Sequence, residues 1–398
     1  METKLNVGLF GFGCVGQGLH DIASSSEVLK ADLKKVCVKN VNKKRKIKAD
    51  YFTQDADEIL SREDVNVVVE LINDADEAYD IVSSALVNGQ HVVTANKKLI
   101  AEKFAQLYDL HLQFGGSILY EGAVAGSIPV IRNLEEYYNN ELLTNLRGII
   151  NGSSNYILSK MEEGLNYDTA LKKAQDEGFA ELDPWLDVAG YDAKYKLIIL
   201  GIHAFGIILK PEKVLNIGIQ NINSFDINYA KDNGFRIKLI ASACKTSNGF
   251  KFQVIPTFVS ENSLLYDINY EQNAIEIEGA FEDKQFLVGK GAGSHPTGSA
   301  VVSDLSALSN SYSYGYKKLK KNLKNLEIDF SALQSTNYFL KLYIRYDNPE
   351  TLDKIGIHRI HQQHSSNEFN YIIADVPYAS LFALMDKDVE DIFVAQMD

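Results

Sequence analysis

The chain has 398 residues, of which 45% are hydrophobic and 23% charged, and its formal net charge is -13. That length allows two or three domains with their own cores, and the acidic balance argues against a nucleic-acid partner. Cys14, Cys37 and Cys244 are too widely spaced for a disulfide framework or a zinc pattern, and no signal-like start or membrane-length apolar run appears, so a cytoplasmic protein with no membrane partner is expected.

Leu5–Phe10 is a short apolar run ending in glycines and reads as a buried parallel strand. A helix is expected to about Ser24, then strands at Val36–Lys39, Val65–Ile72, His91–Asn96 and in SILYEGA, with helices between them. This alternation predicts a doubly wound parallel sheet over roughly residues 1–134. The middle of the chain differs. Helical spacing in SSNYILSKMEEG, DTALKKAQDEGF and residues 188–206 is followed by a meander, in which Asn248-Gly249 marks a hairpin between RIKLIASACK and FKFQVIPTF. An α+β domain with an antiparallel sheet is therefore expected over 135–293. Lys317–Asp329 reads as an exposed basic connector, and the last residues alternate strand-like YFLKLYIRY and FNYIIADV with helix-like pieces.

GFGCVG places Gly11, Gly13 and Gly16 between the first strand and the first helix. Gly11 serves the tight turn, Gly13 the approach of a pyrophosphate, and Gly16 close packing, with the helix N-terminus facing the anion. An acid after the second strand would suit the ribose of NAD. This chain has VCVKNVNKKRK there, with Lys39 and Arg45, so NADP(H) is the preferred cofactor and NAD(H) the alternative.

The most charged stretch is ELDPWLDVAGYDAKYKLIIL, Glu181–Leu200. Asp192 and Lys196 are four apart and share a helical face. Spacing alone favours a surface salt bridge. Lys196, however, abuts an apolar run, which predicts partial burial, and Asp183 and Asp187 crowd the same helix start beyond what capping requires. TANKKLIA, from Thr94, ends a parallel strand where open α/β sheets bind ligands. EGAVAGSIPVI is a small-residue loop, and NGSSN reads equally well as a helix N-cap.

In their order, GFGCVG, TANKK, EGAVAGSIPVI, NGSSNYIL, ELDPWLDVAGYDAKYK and GKGAGSHPTGSAVVSDL resemble the homoserine dehydrogenases, over about residues 4–310. The resemblance implies hydride transfer between NAD(P)H and L-aspartate 4-semialdehyde, giving L-homoserine, on the route to threonine and methionine. It implies that Lys196 handles the proton on the reacting oxygen, that Asp192, Glu181 and Asp187 hold substrate together with Gly152 and Ser153, and that Lys97 is a second active-site lysine. Gly11, Gly13, Cys14, Val15 and Gly16 match the cofactor loop, Thr94 and Lys97 lie beside it, and Gly291 resembles a glycine that returns to the cofactor. Carbonyls of Glu121, Val124, Gly126 and Ile128 match a monovalent-cation site, commonly sodium. A homodimer is implied, with a tetramer as the alternative.

There are departures. Ala125 stands where the family usually has glycine. A segment near 294–312 is expected to return to the dinucleotide domain, and residues 335–398 resemble a shortened, divergent ACT-like regulatory unit. That tail looks too short for a complete βαββαβ unit, so weak threonine feedback is expected. His358, His361 and His364 share a face if that piece is helical, and exposed histidines are favoured there over a metal site. Rival readings are a dinucleotide-sensing regulator that has lost catalysis and a related reductase of another amino acid.

Overall fold

The computed structural model describes residues 4–45, 47–140, 142–247, 249–325, 338–353, 355–385 and 391–397. In chain order the elements begin β1 (Leu5–Phe10), α1 (Cys14–Ser25), β2 (Ala31–Cys37), β3 (Phe52–Thr53), α2 (Asp57–Leu60), β4 (Val67–Glu70), α3 (Ala75–Val87), β5 (His91–Thr94), α4 (Lys97–Phe114), β6 (Ile118–Leu119) and α5 (Val130–Glu136). They continue with β7 (Leu143–Ile149), α6 (Gly152–Glu162), α7 (Tyr167–Asp176), α8 (Trp185–Val188), α9 (Tyr191–Phe205), β8 (Leu215–Asn216), α10 (Ser224–Asp232), β9 (Phe235–Thr246), β10 (Gly249–Ser260), β11 (Gln272–Gly279) and β12 (Gln285–Lys290). The last are α11 (Ser294–Ser309), α12 (Lys317–Asn325), β13 (Phe339–Tyr346), α13 (Glu350–Asp353), β14 (Arg359–Ser365), β15 (Asn370–Pro377) and β16 (Ile392–Met397).

The chain folds as two compact units. The first comprises Met1–Glu141, Ile199–Ile208 and Gly289–Lys321. Its six-stranded sheet runs β3-β2-β1-β4-β5-β6, all parallel. β1 lies between β2 and β4, so the order reverses there, which is where such sheets take ligands. Val67, Val68 and Val69 are fully buried, as expected of parallel strands covered on both faces. A Cβ on Gly18 would strike the Ser294 backbone, and one on Gly298 would lie 2.7 Å from the Leu19 nitrogen. Glycine at both positions thus lets α1 and α11 meet backbone to backbone, so residues 294–309 pack on the first helix of this unit.

The second unit comprises Leu142–Ile198, Leu209–Val288 and Asn322–Asp398. Its mixed, mostly antiparallel sheet has ten strands in the order β12-β11-β7-β9-β10-β16-β13-β15-β14, with β8 also on β10. The hairpin runs from Thr246 opposite Gly249 to Phe235 opposite Ser260. Asn248 lies outside the described residues, as do 326–329 of the basic stretch, whose earlier part is helix α12 rather than a connector.

The tail departs from expectation in two ways. All four strands of a βαββαβ unit are present, in the order fourth-first-third-second (β16-β13-β15-β14), and among the described residues the helical pieces between them are α13 and a 3-10 helix at Tyr378–Met385. The unit is also joined to the main sheet, because β16 pairs in parallel with β10, Gln396 opposite Thr257. The histidines do not share a helix face. His361 and His364 lie on strand β14, whose residues are all exposed, with a bulge between Ile360 and Gln362. His361 Nε2 meets Asp375 Oδ2 at 2.8 Å, His364 stacks on Tyr371, and His358 lies on Phe339. Among the described residues no cluster of His, Cys, Asp and Glu could hold a metal.

Candidate active site

In the first unit Gly11 has φ +90°, and a Cβ there would meet Leu71 O at 2.6 Å. A Cβ on Gly16 would meet Gly11 O at 2.7 Å. Both glycines are therefore required by the turn itself. Gly13 is different, because a Cβ on it would project into open space. Exposed Cys14 and half-buried Val15 open α1, which has neither a side-chain cap nor an acid in its first turn. The other helices of comparable length are mostly capped by side chains, α3 by Asp74, α4 by Asn96 and α6 by Asn151. An uncapped N-terminus with an open glycine before it is a cradle for a pyrophosphate.

After β2, Val38–Arg45 carries its basic groups without an acid of its own. Lys39 is exposed and pairs with Glu77 at 3.1 Å. Arg45 donates to the carbonyls of Asn40 and Lys43 at 2.8 and 2.9 Å and lies over the Phe52 ring.

The ends of β4 and β5 are tied together. Thr94 Oγ1 donates to Glu70 Oε2 at 2.5 Å and accepts from the Asn96 N–H at 3.0 Å. Burial pushes Glu70 up to about 7, against the pull of its bonds from Thr94 and Ile72. The Thr94 hydroxyl thus shapes the strand end. Asn96 caps α4 through the Leu99 N–H, and Lys97 is the first residue of that helix. A cation at a helix N-terminus opposes the helix dipole, so it is placed there for something other than helix stability.

The loop Glu121–Ile128 is held from several sides. The Glu121 carboxylate accepts from the Ile131 and Arg132 N–H groups at 2.8 and 2.9 Å, and its own N–H donates to Asp304 Oδ2 at 2.9 Å. Burial raises Glu121 to about 7 and holds Asp304 well above the carboxylate range. Ala125 and Gly126 both have φ +54°, so Ala125 occupies a left-handed position that favours glycine. A Cβ on Gly126 would lie 2.7 Å from the Gly291 carbonyl carbon, so Gly291 packs directly on this loop. Among the described residues the carbonyls of Val124 and Gly126 accept no hydrogen bond. The Glu121 and Ile128 carbonyls accept from the Val124 and Val130 N–H groups at 3.3 and 2.8 Å, so each would use its second lone pair for a monovalent cation while Val124 and Gly126 would offer theirs freely.

In the second unit the charged stretch closes on itself. Lys196 Nζ donates to Asp192 Oδ2 at 2.6 Å and to Ile150 O at 2.8 Å. Asn151 Nδ2 donates to Asp187 Oδ1 at 2.7 Å and to Asp192 Oδ2 at 2.9 Å, while its Oδ1 accepts from the Ser154 N–H and caps α6. Asp192 and Lys196 are 4% and 7% exposed, so this is no surface salt bridge. Two carboxylates against one ammonium leave the cluster net negative. Gly152 is required because a Cβ would meet Glu271 O at 2.9 Å, and Ser153 Oγ donates to Phe179 O at 2.6 Å.

Sequence reasoning brought Asp187, Asp192 and Lys196 to one place and missed Asn151. Its signal was present, an asparagine opening NGSSN, but a cap explains one asparagine fully, and only the fold shows the same amide reaching two carboxylates from a distant segment. Glu181 stands apart. It is exposed, its carbonyl is held by Gln175, and among the described residues no bond joins its carboxylate to the cluster. It sits on the irregular stretch before α8, exposed among the described residues.

A doubly wound nucleotide unit together with a buried acid–lysine cluster defines a dinucleotide-dependent oxidoreductase. The family described as "Homoserine dehydrogenase, NAD binding domain" matches residues 11–121, and "Homoserine dehydrogenase" matches residues 129–306. A homoserine dehydrogenase of Pseudomonas aeruginosa is 37% identical over 309 residues, covering 76% of this chain and 71% of that one. One from Bacillus subtilis is 34% identical over 358 residues, covering 86% and 82%. The crystal structure of a homoserine dehydrogenase from Thiobacillus denitrificans superposes with a TM-score of 0.80 at 29% identity, over 100% of this chain and 99% of that one. The chain belongs to the homoserine dehydrogenase family. Its activity is NAD(P)-dependent interconversion of L-aspartate 4-semialdehyde and L-homoserine, in aspartate-family amino-acid biosynthesis.

Proposed function

We propose that the Asp187–Asn151–Asp192–Lys196 cluster is the substrate and proton site of this reaction, and the observation that carries the reading is the buried Lys196–Asp192 contact bridged by Asn151 to Asp187. The net negative charge of the cluster suits the α-ammonium of homoserine. Lys196 handles the proton. In the reducing direction it is the acid that protonates the forming hydroxyl oxygen, and in the oxidising direction it takes that proton back. Asp192 orients the ammonium of Lys196 and holds substrate with Asp187. Gly152 and Ser153 shape the helix start beneath them, and Glu181 is a looser, exposed contact. Lys97 supplies a second positive charge for the substrate carboxylate or the cofactor.

The nicotinamide, when bound, supplies the hydride acceptor or donor. Gly11, Gly13, Cys14, Val15 and Gly16 would hold the pyrophosphate, with Thr94, Lys97 and Gly291 near the reactive end. Lys39 and Arg45 support a preference for NADP(H), because the stretch 36–46, at the end of the second strand and after it, has no acid to repel a ribose phosphate. Carbonyls of Glu121, Val124, Gly126 and Ile128 would hold a monovalent cation, sodium by the chemistry of an all-carbonyl site.

A homodimer is supported by Leu142, Phe281 and Val288. These are exposed apolar side chains around the β7–β11–β12 side of the sheet, with Phe281 86% exposed. Homoserine offered with NADP+ and then NAD+ to the purified protein, followed at the absorbance of the reduced nicotinamide, tests the reading. Turnover is expected with both and a higher kcat/KM with NADP+. Replacing sodium with a large organic cation is expected to lower thermal stability as well as rate.

A further inference from the structure

A cavity of about 400 Å³ lies wholly within the second unit. That is the size of small-molecule sites. Trp185, Leu384 and Phe393 give it an apolar wall, and Asn216, Gln220 and Asn221 bring primary amides to it. No charged side chain lines it among the described residues.

Three segments meet here. The floor is bonded to the segment that carries the substrate acids, since Asn216 Nδ2 donates to Ala189 O at 2.8 Å and the Ile219 N–H to Val188 O at 2.7 Å. The tail forms the opposite side, where Asn221 Nδ2 donates to Ile392 O at 2.9 Å. Ala189 and Tyr191, which flank the turn at Gly190, also line the cavity, two residues from Asp187 and one from Asp192. Gly190 has φ +80°, and a Cβ there would lie 2.6 Å from Asn216 Oδ1. Finally, Asn216 is 6% exposed, and among the described residues its Oδ1 has no hydrogen-bond partner. That oxygen is fully covered and lies against Gly190, so Asn216 ties the cavity floor to the turn on both sides of its amide.

We propose that this cavity is a regulatory site for a small uncharged molecule with an apolar ring or branched body and an amide- or hydroxyl-like edge. Its occupation changes the affinity for homoserine through the Asp187–Asp192 segment. Amides both donate and accept, so they match a neutral polar edge, whereas among the described residues no lining side chain offers an ion a counter-charge. A ligand touching Ala189 and Tyr191 shifts the segment between them by the difference in its affinity for the two arrangements. The regulatory half rests on the reading that Asp187 and Asp192 hold substrate.

Trp185 is the only tryptophan in the chain, so its emission reports on the cavity. The full-length protein is titrated with benzamide, and then with benzoate and benzylamine, which carry the same ring with a negative or a positive charge. Benzamide is expected to give a saturable change, with the two ions weaker by roughly tenfold or more. Gln220→Leu removes an amide from an exposed residue of the lining, and it should weaken benzamide at least roughly threefold. Saturating benzamide should shift the KM for homoserine at least roughly twofold while the KM for NADP(H) stays unchanged. Absence of a saturable change, equal binding of the ions, or binding without a change in homoserine KM overturns the proposal. Failure of the substrate assignment looks different. In that case Asp187→Ala keeps the wild-type homoserine KM, and the fluorescence titration still saturates.

Discussion

At the scale of single residues, Asn151 is the joint of the second unit's site. One amide holds buried Asp192 and half-buried Asp187 and caps α6, so Asn151→Ala removes three hydrogen bonds together. Bonds to charged groups contribute about 1.5–3 kcal/mol each and a cap about 1 kcal/mol. The variant is expected to raise the KM for homoserine by roughly 10–100-fold and to lose about 4 kcal/mol or more in urea denaturation, with NADP(H) affinity unchanged. Glu70 gives a pH signature. Its folded value, about 7, lies above the ordinary 4.5, so the native state binds this proton more tightly than the unfolded chain does. The stabilisation is complete below pH 4.5 and is lost as pH rises through 7. Glu70→Gln keeps an acceptor for Thr94 and Ile72 and cannot titrate. Relative to that variant, the wild type should lose about 1–3 kcal/mol of unfolding free energy between roughly pH 5 and 8.

At the scale of elements, the glycine loop separates two roles that sequence alone merges. Gly16→Ala forces a Cβ to within 2.7 Å of Gly11 O and should lower the melting temperature. Gly13→Ala meets nothing in the protein, so the fold should survive while the KM for NADP(H) rises. Equal melting temperatures for the two variants would contradict the cradle. What the chain reveals about itself follows burial. β1 and the β9–β10 hairpin were legible because their apolar runs and turn signals are local. β7, LTNLRGI, was missed because its burial does not alternate. β14, RIHQQHS, has no buried residue at all and exists only because β15 offers it a ladder. Asp192 and Lys196 were legible from their spacing and the apolar run behind them, whereas the reach of Asn151 depends on a contact between segments 36 and 41 residues apart. The tail strand β14 is exposed throughout and the unit is joined to the main sheet through β16, so threonine up to millimolar levels is expected to inhibit semialdehyde reduction only weakly. Strong saturable inhibition would place an effector site on those strands.

At the scale of the whole molecule, a net charge of -13 keeps the surface acidic, and the buried site in the second unit is acidic too. Phe281 tests assembly. Phe281→Ser is expected to shift the sedimentation of the protein towards the monomer without unfolding it, and an unchanged dimer would remove that patch from the interface. The central claim is that Lys196 carries the proton within a buried acid cluster. Its most direct test is the turnover of Lys196→Ala in both directions, measured beside its affinity for NADPH. Loss of about 10²–10⁴-fold in kcat, with NADPH binding retained, is the predicted result. Turnover within a few-fold of the wild type, in a variant that binds NADPH normally, would contradict it.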